Sequence, residues 1–143
     1  MKFISADYNK ENGHSTVIMQ HLGRKFIGEA RLNPVEAEKG SEYAGCRYAE
    51  IRATIKALKY ERQIAKEAAD QAIDFVKSCN CYTKFDSESE TAKAVYRQLN
   101  QRIKRVNDLT DEINNLYKEL NNSIFHREIM LNTIAKNKAK EVN

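Results

Sequence analysis

Between Glu90 and Asp108 the chain carries Lys93, Arg97, Arg102, Lys104 and Arg105 and no carboxylate. The planar fork of an arginine pairs with two phosphate oxygens at once, so a run of this kind is suited to an anion and above all to a phosphate. Just ahead of it, in the stretch CNCYTKFDSESE (79–90), stand Tyr82 and Phe85. An aromatic face beside phosphate-binding arginines is what a nucleotide-like ligand requires: the base stacks while the phosphates pair. Arg52, on the preceding segment, could face this stripe across an interface between copies. The candidate ligand-binding set is therefore Tyr82, Phe85, Arg97, Arg102, Arg105 and Arg52. The same residues also fit plainer roles. The cations suit a solvated basic flank, the two aromatics suit a hydrophobic staple at a helix end, and Arg47 and Arg52 suit ion pairs with Glu50 or with a neighbouring chain.

Other chemistry is poorly supplied. His14, His21 and His126 are far apart in sequence, and no nucleophile elbow, zinc-protease helix, phosphate loop or dinucleotide fingerprint is present. Cys46, Cys79 and Cys81 are odd in number, and the last two are spaced C-x-C, which supports neither a disulfide framework nor a zinc knuckle. The expectation is a protein that is not an enzyme and has no metal or cofactor. A net charge of +4, spread over the chain, is small for a nucleic-acid binder, which concentrates far more positive charge on one face.

The elements that must position these residues follow from hydrophobic period and turn chemistry. Residues 2–33 predict a β-meander: KFISADY and STVIMQHL flank the Asn12-Gly13 turn signal, and KFIGEARL follows a second turn at Gly23-Arg24. From residue 41 the period changes. Ala44, Tyr48, Ile51, Ile55, Leu58, Arg62, Ala65, Ala69, Ala72, Val76 and Cys79 step by four and three, predicting a first long helix over 41–79. A turn over 80–88 follows, with Asp86 or Ser87 and Glu90 as a capping-box start signal. A second long helix is expected over 89–140, its seam running through Ala92, Tyr96, Leu99, Ile103, Val106, Thr110, Ile113, Tyr117, Leu120, Ile124, Arg127, Leu131 and Ile134. The fold class is α+β, a small N-terminal antiparallel β-sheet followed by two long helices forming an oligomeric coiled coil. The distal apolar residues of the second helix need another chain or a fold-back to cover them. No window approaches the roughly 20 apolar residues of a membrane span, and the N-terminus lacks a signal-peptide core, so a cytosolic protein is expected.

The order of elements and the stretch FIGEARLNPVEAEKGSEYAGCRYAEIRATIKALKYERQ, from Phe26 to Gln63, resemble the first described family of phage Thoeris anti-defence proteins, the signal-sequestering sponges. The resemblance implies a non-enzymatic homo-oligomer, a dimer or higher. It would act in the host bacterial cytoplasm, binding cyclic ADP-ribose isomers made by bacterial TIR-domain proteins and holding them intact. It implies an aromatic residue stacked on adenine, matched here by Phe85 or Tyr82, and arginines on the phosphates, matched by Arg97, Arg102 or Arg105. The rival reading is a structural coiled-coil adaptor whose basic stripe binds an acidic protein partner. A hydrolase acting on the same signal ranks below both, because no positioned nucleophile or base is evident.

Overall fold

A computed structural model describes residues 1–31, 42–82 and 89–142, with side chains placed except over 79–82 and 123–142. Three strands, β1 (Lys2–Asn9), β2 (His14–His21) and β3 (Arg24–Arg31), form an antiparallel sheet in the order β1-β2-β3. Two helices follow, α1 (Glu42–Tyr82) and α2 (Glu90–Val142). The α+β layout matches the reading of the sequence.

Both turns differ from it in detail. The first is a four-residue loop in which Gly13 takes a φ of 67° and donates to the carbonyl of Asn9 at 2.8 Å, while the side chains of Asn9 and Asn12 accept from Glu11 and His14 amides. The second is Leu22-Gly23, one residue earlier than expected, with φ of 51° and 76°. Positive φ at both central residues is the two-residue hairpin geometry that matches strand twist. A leucine there costs about 1–2 kcal/mol, which the fixed pairing of His21 with Arg24 offsets.

The sheet presents Ser15, Val17, Met19, Gly28 and Ala30, all buried, to α1. Opposite them α1 carries Gly45, Ala49, Ala53 and Ala57, one buried small residue every four positions and hence one stripe of the helix. The approach is closest at Gly28, where a Cβ would overlap the carbonyl oxygen of Ala49 and lie 2.5 Å from the amide nitrogen of Ala53. Carbon needs about 3.5 Å in such contacts, so only glycine fits. Beside this stripe, Arg52 donates to the carbonyl of Glu29 at 2.6 Å and Lys56 to that of Ile27 at 2.7 Å. Two helix cations thus satisfy the outer carbonyls of β3, an edge strand.

A second apolar face of α1, with Tyr48, Ile51, Ile55 and Leu58, shares one core with Leu109, Ile113 and Leu120 of α2. Contacts of Arg47 with Glu119, Glu61 with Arg105, and Ala68 with Arg102 run in opposite directions along the two helices, which are therefore antiparallel. The first helix runs to Tyr82, past the expected end at 79, since nothing in Asn80-Cys81-Tyr82 breaks a helix. The second starts from Ser89, whose Oγ accepts from the Ala92 amide at 3.1 Å and whose carbonyl accepts from Lys93. Ser89 is thus the N-cap, whereas Asp86 and Ser87, the expected start signals, lie outside the described residues.

The seam of α2 is also offset. Ala92, Ile113 and Leu120 face inward as expected, but the intervening positions are Arg102, Leu109 and Leu116 rather than Ile103, Thr110 and Tyr117. Leu109 is fully buried, while Ile103 and Tyr117 are 38% and 37% exposed. Steps of three and four both return to one face of a 3.6-residue helix. The step of three puts two leucines in the core in place of a threonine and a tyrosine.

The glycine at 28 gives a sharp test. Gly28→Ala is expected to lower unfolding free energy by roughly 3 kcal/mol, the upper end of overpacking. A wild-type denaturant midpoint for the variant would show that the helix does not lie on the sheet in this way.

Candidate functional site: a basic groove on the helical hairpin

Among the described residues, the four arginines of the expected site stand in different places. Arg52 lies on the sheet side of α1, occupied by the carbonyl of Glu29. Arg102, half-buried, donates to the carbonyl of Ala68 at 3.0 Å and so ties the two helices together. Arg105 pairs with Glu61. Arg97 is exposed, roughly 14 Å along the axis from Val106 at 1.5 Å per residue. Phe85 lies outside the described residues, and so does the side chain of Tyr82. Arg47 makes the pair with Glu50 that its spacing suggested, at 3.4 Å, and a second with Glu119 at 2.8 Å.

Glu61 is the electrostatic hub of this region. One oxygen bonds His21 Nε2 at the end of β2, at 2.7 Å, and the other takes Arg105 of α2, so a single carboxylate joins the sheet to both helices. Burial alone would push its pKa up, but the hydrogen bonds from His21 and Arg105 and the arginine's charge outweigh burial and hold it below its ordinary value. The same contact raises the pKa of Arg105. His14 lies 4.0 Å from Glu29 and His21 bonds Glu61, while the side chain of His126 is outside the described residues. Among the described residues no three histidine, cysteine, aspartate or glutamate side chains are placed to hold a metal ion.

What the fold does assemble is a groove of about 500 Å³ between the helices, lined by Lys59, Arg62, Gln63 and Lys66 of α1 and by Val106 and Thr110 of α2. The cations at 59, 62 and 66 share one face of α1 by their spacing of three and four, and no carboxylate is among the lining residues. Lys59 is positioned by Tyr117, bonding its hydroxyl at 2.7 Å with the ammonium 5.1 Å from the ring centre. Arg62 and Lys66 have no ion-pair or hydrogen-bond partner among the described residues. Thr110 Oγ1 donates to the carbonyl of Val106 at 2.9 Å. Val106 supplies an apolar surface. The volume is that of a small-molecule site, and the lining is suited to an anion with an apolar or planar portion.

The sequence held one signal for this groove. Arg62 is a charged residue at a position of the apolar seam, and Lys59 and Lys66 sit one turn or less to either side of it. The acid-free run on α2 is longer and more conspicuous, but two of its arginines are consumed by Ala68 and Glu61. Compared with known proteins, the chain matches no family model, no curated protein and no solved structure, so the groove's role is argued from its own residues.

The hub sets a pH dependence. A carboxylate with a lowered folded pKa contributes stability above its unfolded value and loses it as pH falls through the folded one. Glu61→Gln is expected to cost roughly 1–2 kcal/mol at neutral pH, the scale of a charge-assisted bond reduced for partial exposure. This deficit should shrink below the ordinary carboxylate range, where the wild type loses the same contribution. Urea titrations across pH decide it; a deficit that stays constant into acid would assign the effect to packing.

Proposed function

We propose that the protein is a phage anti-defence protein that binds and sequesters cyclic ADP-ribose-type nucleotide signals made by bacterial TIR-domain proteins, without degrading them. It would do so as a homo-oligomer in the host bacterial cytoplasm. The observation that carries the reading is the groove whose lining holds no carboxylate, in which Arg62 and Lys66 have no partner among the described residues and Lys59 is held in place by Tyr117. Two phosphates of a cyclic dinucleotide-like ring need charge-assisted donors on one side and an apolar or aromatic surface on the other. The groove offers the donors from α1 and Val106 from α2. The lining provides ammonium, guanidinium, amide and hydroxyl groups, which suffice for capture and call for no covalent step. The likeness in element order and in Phe26–Gln63 to the sponge family supports the same reading.

The test is to incubate the purified protein with a cyclic ADP-ribose isomer, remove free ligand, denature the protein by heat and weigh what is released. Intact ligand is expected; a product of altered mass would establish turnover, and no ligand at all would favour an adaptor that binds an acidic protein partner. If the groove is the site, Arg62→Ala and Lys66→Ala each weaken binding by roughly 1.5–3 kcal/mol, the range for a hydrogen bond to a charged group. Calorimetry giving wild-type affinity for both variants would move the site away from the groove.

A further inference from the structure

The two edges of the sheet are treated differently. On β3 the carbonyls of Ile27 and Glu29 accept from Lys56 and Arg52. On β1, among the described residues, nothing pairs with the outer backbone groups, and the strand exposes Phe3 (52%) and Ile4 (40%). An open, apolar edge strand is a template for another strand.

The register of β1 identifies which strand fits. Its pairing with β2 slips between Phe3 and Ser5. In an unbroken strand, residues 2 and 7 would point to opposite faces. The slip changes this: Lys2 lies opposite Gln20 and Asp7 opposite Thr16, so both occupy the face turned away from α1. By the same slip Phe3, opposite Met19, and Ala6, opposite Val17, share the helix-side face. At Phe3 and Ala6 that face is exposed, and the two residues border a hollow of about 540 Å³ with Tyr43 and Cys46. An antiparallel partner related by a two-fold axis between Ile4 and Ser5 would place residue 2 opposite 7 and 3 opposite 6, with matching faces in both pairs. Lys2 and Asp7 have opposite charges, and neither has an ion-pair partner among the described residues. The strand is complementary to itself in charge and in face.

We propose that β1 is the docking edge for a second copy of this chain, the two sheets joining antiparallel so that Lys2 of each copy meets Asp7 of the other. Light scattering on the full chain over a range of concentrations tests this. The wild type is expected to self-associate. Lys2→Asp or Asp7→Lys, each turning two attractive pairs into two repulsive ones, is expected to weaken association by about tenfold, and the double exchange is expected to restore it. A wild type that stays monomeric, single reversals that associate like wild type, or a double exchange as weak as the singles would each overturn the proposal. Hydrogen exchange on the wild type gives an independent readout: β1 amides are expected to slow with concentration while those of β3 do not, and equal behaviour of the two edges would also overturn it.

Discussion

Everything in this molecule is hung on the contact of backbone with backbone between Gly28 and the turn of α1 containing Ala49 and Ala53. A three-stranded sheet of this size has too little apolar face to stand alone, and a helix of alanines has little to offer a distant surface. Brought into direct contact, they bury each other's main chain along the stripe from Gly45 to Ala57. The lateral position of the helix is then fixed, because Arg52 and Lys56 reach the carbonyls of β3 only from this distance.

With α1 seated, its opposite face is presented to α2 along a line that the hydrogen bonds of Arg47, Arg105 and Arg102 mark at three heights. Glu61 sits where all three structural layers meet, and its two oxygens are divided between sheet and second helix. Directly beside this neutralised point lies the groove, where the next cations on α1 find no carboxylate. The charge pattern is thus local. Positive residues below and beside Glu61 are spent on structure, and those at 62 and 66 have no partner among the described residues.

Much of this could be read in the amino-acid order. The change from a two-residue to a 3.6-residue period near residue 41 separates sheet from helices without ambiguity, because strand and helix bury opposite periodicities. The inward face of α2 could be read only in part, since positions 102, 109 and 116 and positions 103, 110 and 117 satisfy the same spacing, and the choice depends on which side chains fill the space against α1. The closeness at Gly28 was invisible because a glycine in a strand is equally compatible with a bulge or with nothing at all. Arginines are the hardest to read. Arg52, Arg97, Arg102 and Arg105 carry one charge each in sequence, but two of them donate to main-chain carbonyls and one to Glu61, and no pattern of residue types announces that a guanidinium will be used up in this way. The groove cations give little signal, because lone basic residues along a helix are ordinarily solvent-facing.

The side chains of Lys56 and Arg52 along β3 set a ceiling on stoichiometry. A sheet with two open edges can add strands at both ends without limit, which is the geometry of fibrils. Here the border at β3 is occupied from within the same chain, so strand addition at the sheet is confined to β1. A sheet closed on one side in this way can lengthen only at its other edge, and so cannot polymerise through strand pairing at both.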